Sequence, residues 1–260
     1  MRPAKKEHGR MSGCSTAHGV GGWKPNLKRV ALACVAVAAV WTGPACAADL
    51  GDLAGVWLNT APASTLVPAY GRRPPLNRAG RTAYAKAQAE LKSGKAVDAV
   101  DAVAKYCLPE GVPRLMMSPY PMKLIGAQGQ LTVVHESHHT FRIVLMDGVH
   151  PDPDDIVTTY MGDSVGRWDG DALVIDTVGF NANEPLDASG LPHGERLHVV
   201  ERLRRLPDGG LENLITIDDP EFYERPWTVR AAYSPRPDLR LQEYACGEPH
   251  RPLPVPTRAR

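Results

Sequence analysis

The sequence lacks an apolar run long enough to span a bilayer. Its longest apolar stretch, residues 30–41, is about a dozen residues long, whereas a transmembrane helix needs roughly 20. Aromatic residues are also scarce, at 6%, but 43% of the 260 residues are hydrophobic and 23% are charged. This is the composition of an ordinary globular protein, and it excludes a disordered tail, a collagen-like repeat and a polytopic membrane protein.

The chain also lacks the excess of positive charge that is typical of nucleic-acid binding. Seven basic side chains and one Glu fall in residues 1–48, so residues 49–260 carry 23 basic and 28 acidic side chains, a net charge of about −5. A mildly acidic protein releases few counterions from phosphates. We therefore expect no nucleic-acid partner.

The N-terminal segment has the three parts of a secretory signal peptide in the right order. Lys24, Lys28 and Arg29 precede the apolar residues 30–41, and the small residues 45–48 follow. A basic region, a short apolar region and a small-residue cleavage site indicate export. We predict that residues 1–48 are a signal peptide, cleaved after the first or second Ala of the final pair, and that the mature protein is periplasmic or secreted without a membrane span.

Cysteine is rare, with five residues in the chain, three of them within residues 1–48. A lipid-modified Cys46 is an alternative to soluble export, although Gly43 stands where such signals usually have a large aliphatic residue. After cleavage only Cys107 and Cys246 remain. Two cysteines in an exported protein predict one disulfide between them, and two separate buried thiols are the alternative.

The first part of the mature chain, residues 49–121, contains one strand pattern and one helical pattern. Gly55-Val56-Trp57 resembles the first strand of a lipocalin-type barrel. Residues 77–106 are rich in Ala and Lys, with apolar positions at helical spacing and a break at Gly94, and they predict two short helices. Pro-rich residues surround this helical insertion, and we expect them to form loops.

Beyond Met122 the hydrophobic pattern has period two, which is typical of antiparallel strands. Asp169-Gly170 is the strongest hairpin signal. Four consecutive hairpins are predicted: residues 130–136 with 140–146, 164–168 with 171–178, 197–206 with 211–218, and 227–233 with 239–246. The fold class is therefore mainly β: one domain, residues 49–260, forming an antiparallel up-and-down, lipocalin-like barrel or a strongly curved sheet with a short helical insertion.

Two carboxylates interrupt apolar rows that should face the core. Glu201 shares a strand face with apolar residues, and Glu243 does the same in the last predicted strand. A buried carboxylate is costly unless it is paired or used. Salt bridges to Arg142 or Arg202 are one explanation, and a polar spot inside a barrel cavity is the other.

Motifs for several kinds of chemistry are missing. No phosphate loop, dinucleotide fingerprint, nucleophile elbow or zinc-finger spacing occurs, so we expect no cofactor and no metal. The segment 192–202 is the richest in ionisable residues. It offers His193, Glu195 and Glu201 as candidate acid/base groups for catalysis, and anchoring of a loop is the alternative explanation.

Several motifs together resemble a large family of uncharacterised exported bacterial proteins. They are DGVHP at residues 147–151, GDSVGRWDGDALVIDT at 162–177, PHGERLHVVER at 192–202, TIDDP at 216–220 with Pro226-Trp227, and EYAC at 243–246. The resemblance covers about residues 55–248 and implies export and a shared β-rich fold. The family often has His at the position of Asp163 and Ser at the position of Gly194.

Two functions remain open from the sequence. The first is a periplasmic barrel that binds a small, partly apolar organic molecule in a cavity with polar residues. The second is a cofactor-independent lyase, isomerase or hydrolase that uses His and Glu side chains in the same cavity. The predicted ligand-binding residues are Glu243, His150, Asp147, Trp168, Trp227 and Arg202. A small-molecule ligand is the only partner that the sequence predicts.

Overall fold

In the computed structural model of the chain, nine strands form one closed barrel. The structure describes residues 49–93, 103 and 106–245. The strands are β1 (Gly55–Asn59), β2 (Met122–Ala127), β3 (Gln130–His135), β4 (Phe141–Met146), β5 (Asp163–Asp169), β6 (Ala172–Val178), β7 (His198–Arg205), β8 (Leu211–Asp218) and β9 (Trp227–Pro235). Each strand pairs with the next in sequence, and β9 pairs with β1. The predicted β-barrel is confirmed.

One pair of strands departs from the predicted antiparallel order. β4 and β5 run parallel, while every other neighbouring pair is antiparallel. Antiparallel neighbours need only a tight turn, whereas parallel neighbours need a connection that returns along the sheet. Residues 147–162 form this connection. The parallel pairing is short and joins only Val144–Met146 to residues 164–166.

Three of the four predicted hairpins are present, formed by β3 with β4, β5 with β6, and β7 with β8. The β5–β6 turn lies one residue later than expected, because Asp169 already pairs with Ala172. The two turn residues are therefore Gly170 and Asp171, and of these only Gly170 has a positive φ, of 65°. A glycine at the first central position is typical of a type II′ turn rather than the type I′ turn that Asp-Gly predicts.

The fourth predicted hairpin is wrong. Residues 239–245 form no strand, and the free edge of β9 is instead taken by β1, with Asn59 opposite Tyr233. β2, which follows the Pro-rich loop, fills the other side of β1. The pairing of the first and last strands closes the barrel, and local alternation of residue types carries no information about it.

The α-helices whose bounds the structure gives are α1 (Leu50–Leu53) and α2 (Arg78–Lys92), and Val103 and Tyr106 are also helical. α2 begins at the Asn77 cap, whose side chain accepts a hydrogen bond from the N–H of Gly80, and it confirms the first of the two predicted helices. The second predicted helix falls largely outside the described residues. Neither described helix is long and apolar enough to cross a membrane.

Two further predictions concern residues outside the described part of the chain. The predicted signal peptide, residues 1–48, lies there, so export stays a prediction. Cys107 is disulfide-bonded, but its predicted partner Cys246 lies outside the described residues. The pairing of these two cysteines therefore also stays a prediction.

The barrel interior is filled with side chains from alternate positions of all nine strands. The largest fully buried side chains on the strands are Trp57, Leu124, Leu131, Leu173, Ile175, Leu211, Ile215 and Ile217. Glu201 and Asn213 share this interior and are each 0% exposed. Such a packed interior leaves the ends and seams of the barrel as the places where a ligand can enter.

A candidate binding site at the β4–β5 seam

A depression of about 270 Å³ lies where β4 and β5 meet, and we call it the seam depression. It is lined by Phe141, Arg142, Ile143, Leu145, Met161, Gly162, Asp163 and Ser164. It exists because β5 begins only opposite the second half of β4, so that Phe141–Ile143 have no partner in the β4–β5 register. The missing pairing leaves a notch in the barrel wall.

The lining combines residues from both faces of the wall. Phe141, Ile143 and Leu145 point outward, and their exposed fractions are 62%, 43% and 46%. Arg142 and Ser164 belong to the inward-facing set and are only 3% exposed. Because side chains alternate between the two faces of a strand, the depression borders residues of both sets.

The guanidinium of Arg142 lies inside the barrel beside Glu201. Its Nη1 donates a hydrogen bond to Glu201 Oε2, and Asn213 Nδ2 donates to Glu201 Oε1 over 2.7 Å. The salt bridge to Arg142 is one of the two explanations that the sequence left open for Glu201. Arg202, the other candidate partner, is exposed and pairs with Asp169 at 2.8 Å. Glu201 thus has both carboxylate oxygens occupied.

Part of this interior cluster has no protein partner. Within the described part of the chain, Arg142 Nε, Arg142 Nη2 and Asn213 Oδ1 are buried without a hydrogen bond. A buried polar group without a partner costs about 1–3 kcal/mol. Two N–H donors and one acceptor are therefore left without a protein partner in the barrel interior.

The outer rim of the seam depression carries a chain of two carboxylates and two histidines. Nδ1 of His150 lies 2.6 Å from Asp163 Oδ1, and its Nε2 lies 3.2 Å from Asp176 Oδ1. The same Asp176 oxygen lies 2.9 Å from Nε2 of His198. All four side chains are between 22% and 38% exposed. His150 thereby ties the connection 147–162 to β5 and β6.

The sequence analysis selected only one residue of this chain, His150, and expected it near the rim of a cavity. Asp163 and Asp176 were missed because they sit on the outward face, where a polar residue is unremarkable. They come together because β5 and β6 are neighbours in the sheet. The pattern that could have identified them is the placement of Asp163, Asp176 and His198 at outward positions of three neighbouring strands, β5, β6 and β7.

The predicted acid/base residues His193 and Glu195 do not line the seam depression. Glu195 is exposed. The His193 side chain is 1% exposed, and its Nε2 lies 3.9 Å from Oε1 of Glu184. Burial lowers the pKa of His193 and raises the pKa of Glu184 to about 8, so both side chains favour their neutral forms. Glu184 was not identified from the sequence.

Other predicted ligand-binding residues also lie elsewhere. The expectation that Glu243 lies inside the barrel is wrong: it is exposed, on a segment that forms no strand. Trp227 is buried and packs on Tyr223, with ring centroids 5.5 Å apart. Asp147 is exposed at the far end of β4, where it begins the connection to β5.

Trp168 borders a second depression at the opposite end of the barrel. This depression measures about 470 Å³ and is lined by Gly51, Asp52, Leu53, Ala54, Trp168, Asp171 and Arg205. Arg205 donates a hydrogen bond to the carbonyl oxygen of Asp52 and lies over the ring of Trp57 at 5.0 Å. The guanidinium of Arg205 therefore already has protein partners, whereas Nε and Nη2 of Arg142 have none among the described residues.

In the described ranges, no group of three or more His, Cys, Asp or Glu side chains is arranged to hold a metal ion. No model of a known protein family matches the chain, and no curated protein matches it either. The family resemblance drawn from the motifs therefore remains an expectation, and the functional argument depends on the geometry of the site.

Proposed function

We propose that the protein binds a small, partly apolar organic molecule in the seam depression. One observation carries this proposal: the exposed apolar side chains of Phe141, Ile143 and Leu145 line the same notch as the polar residues Asp163 and Ser164. Apolar walls with a few convergent polar groups are typical of small-molecule sites.

The size of the depression limits the ligand. Its volume of about 270 Å³ lies just below the roughly 300–1,000 Å³ of most ligand pockets. A ligand that covers Phe141, Ile143 and Leu145 removes apolar surface from water at about 25 cal/mol per Å². Asp163 and Ser164 also line the depression and offer polar partners to the same molecule, and both contributions favour binding.

Binding is favoured over the enzymatic alternative by the placement of the predicted catalytic residues. That alternative needs His193, Glu195 and Glu201 in one cavity. None of the three lines the seam depression, and Glu201 is held by Arg142 and Asn213. The groups proposed for proton transfer are therefore not placed around a common substrate.

The location of this binding function is part of the proposal: we infer that the protein is exported. The support is the order of basic residues, apolar residues and small residues in positions 24–48. Intact-mass analysis of the protein from its native host should show an N-terminus close to Ala48. A mass that retains residues 1–48 would contradict export.

Three probes with one apolar body test the binding site. Phenethyl alcohol, phenethylamine and phenylacetate share a phenyl ring and differ only in carrying a neutral, a cationic or an anionic group. We expect at least one of them to bind, measured by saturation-transfer NMR and titration calorimetry on the full chain. Loss of this binding in Ile143→Asp would place the ligand in the seam depression.

Ile125→Asp is the matched control. Ile125 is also an outward-facing Ile, with 39% exposure against 43% for Ile143, but it lies on β2 and does not line the seam depression. It should bind the probe as the wild type does. Equal losses in both variants, or no binding of any of the three probes, would overturn the proposal.

A further inference from the structure

The second depression, which Trp168 borders, lies at the mouth of the barrel, and we call it the mouth depression. The inward-facing rows of two strands end in it. On β5, Trp168 continues the row of the buried Ser164, and on β7, Arg205 continues the row of the buried Leu203. Barrel mouths are frequent ligand sites, and the volume of about 470 Å³ falls within the roughly 300–1,000 Å³ of most ligand pockets.

The charged residues of the mouth depression lie next to one another. Ala172 on β6 pairs with Arg204 on β7, so one step further towards the mouth places Asp171 opposite Arg205. Nη1 of Arg205 donates a hydrogen bond over 3.1 Å to the carbonyl oxygen of Asp52. Asp52, Asp171 and Arg205 all line the depression, and all three are exposed. Charges of both signs therefore meet at this end of the barrel.

Two contacts hold the guanidinium of Arg205 in place. Besides the bond to Asp52, its Cζ lies 5.0 Å from the centroid of the Trp57 ring, and Trp57 is only 1% exposed. A guanidinium carries five N–H donors, and the hydrogen bond to Asp52 uses one of them. The other N–H groups can donate to a ligand from a side chain that is already ordered, which lowers the entropy cost of binding.

Trp168 adds an apolar wall to these charged residues. Its side chain is partly buried and packs against the hydrophobic core, so the protein holds the indole ring. The face of an aromatic ring is electron-rich, and the ring C–H groups of a sugar, which carry a partial positive charge, pack well against it. An indole beside Asp and Arg side chains suits a ligand with an apolar face and a polar edge.

We propose that the mouth depression is a second binding site and that its ligand is a sugar. The ring of the sugar packs on Trp168, one hydroxyl group donates to the carboxylate of Asp171, and a second hydroxyl group accepts from Arg205. The mouth depression shares no lining residue with the seam depression. This inference therefore does not depend on the function proposed for the seam depression.

Hydroxyl groups suit this lining better than a single charge does. Because Asp52, Asp171 and Arg205 are exposed, water hydrates each of them, and a ligand must replace the hydrogen bonds of the water that it displaces. A hydroxyl group both donates and accepts, so one molecule can serve the carboxylates and the guanidinium alike. A ligand with one charge would meet a like charge in the same lining.

Four sugars test the site on the full chain: glucose, galactose, mannose and N-acetylglucosamine. At least one should bind, measured by saturation-transfer NMR and titration calorimetry. Tetrahydropyran has the ring without the hydroxyl groups, and glycerol has hydroxyl groups without the ring. The best sugar should bind at least about tenfold more tightly than either. Equal affinity for tetrahydropyran or glycerol, or no binding of any sugar, would overturn the proposal.

Two variants test whether the sugar lies in the mouth depression. Asp171→Ala should weaken its binding by about tenfold, and Trp168→Leu, which keeps an apolar side chain and removes the ring, by about fivefold. Asp169→Ala is the matched control, since Asp169 belongs to the same hairpin, pairs with Arg202 and does not line the depression. Unchanged binding in Asp171→Ala, or an equal loss in Asp169→Ala, would contradict the site. If Trp168→Leu fails to fold, Asp171→Ala decides.

Ile143→Asp separates the two proposed sites. This variant changes the seam depression alone, so the sugar should bind to it as to the wild type. Loss of sugar binding in Ile143→Asp would place the sugar in the seam depression and contradict the second site. If the phenethyl probes fail while a sugar binds in an Asp171-dependent manner, the function proposed for the seam depression is wrong and the sugar site stands.

Discussion

At the scale of single residues, Glu201 shows how this barrel holds a carboxylate in its interior. Its side chain is 0% exposed, and its two oxygens accept hydrogen bonds from Arg142 and Asn213. Pairing offsets the loss of hydration of both charges, although a buried ion pair contributes little net stability. Removal of one partner is strongly destabilising, because it leaves the other charge buried and uncompensated.

Glu201→Gln should therefore destabilise the protein by about 3–5 kcal/mol, the usual cost of breaking a buried ion pair. Urea unfolding of the protein measures this free energy. Glu195→Gln is the control, because Glu195 is exposed and its change should stay within about 0.5 kcal/mol. A loss below about 1 kcal/mol for Glu201→Gln would show that the Arg142 charge finds compensation elsewhere.

Some of these residue-level relations were predictable from the sequence. The alternation of β7 places Glu201 inward, and the choice of Arg142 or Arg202 as partner followed from the charges alone. Which of the two pairs with Glu201 depends on the strand face of each Arg: Arg142 faces inward on β4, whereas Arg202 follows Glu201 directly and must face outward. No comparable pattern identified Asp163 and Asp176 as interacting residues, since outward positions accept any polar residue.

At the scale of secondary-structure elements, three of the four hairpins with tight turns were predicted, while β2 (Met122–Ala127), which forms a tight hairpin with β3, and the pairings across long connections were not. The β5–β6 hairpin is encoded locally by two alternating runs around a short turn that contains Gly170. Residues 239–246 show the same alternation, and yet residues 239–245 form no strand. Alternation predicts an extended chain with two different faces, and it cannot say whether a neighbouring strand edge is free.

The candidate site depends on a connection to which the sequence analysis assigned no structure. Residues 147–162 bring β5 beside β4 in the parallel sense, and the offset between these strands leaves Phe141–Ile143 without a partner on that side. No residue pattern within β4 or β5 specifies this offset. The tie from His150 to Asp163 and Asp176 then holds the connection against the sheet. The site is thus a consequence of strand order.

At the scale of the whole molecule, two buried titratable groups with opposite shifts shape the pH dependence of stability. Burial raises the pKa of Glu184 from 4.5 to about 8 and lowers the pKa of His135 from 6.5 to about 3. The folded protein therefore keeps Glu184 protonated and His135 neutral. The positive charge of Arg142 adds to the shift of His135, and that of Arg114 opposes the shift of Glu184.

The two groups act in opposite directions. Because the folded-state pKa of Glu184 is raised, its contribution to stability is fully present below pH 4.5 and is lost as the pH rises towards 8. The folded-state pKa of His135 is lowered, so its contribution is present above pH 6.5 and is lost as the pH falls towards 3. Between pH 4.5 and 6.5 the two slopes oppose each other, and we expect the greatest stability there.

Unfolding by urea at pH 5.5 and at pH 8 tests the alkaline side of this curve. The wild type should lose roughly 1–2 kcal/mol between the two pH values, since each pKa unit corresponds to about 1.4 kcal/mol. Glu184→Gln carries no ionisable group, so it should abolish this loss and leave the gain of about 1 kcal/mol that His135 contributes as the pH rises above 5.5, whereas the exposed control Glu195→Gln should retain the loss. If Glu184→Gln loses as much stability as the wild type between pH 5.5 and pH 8, the alkaline loss has its origin in another group.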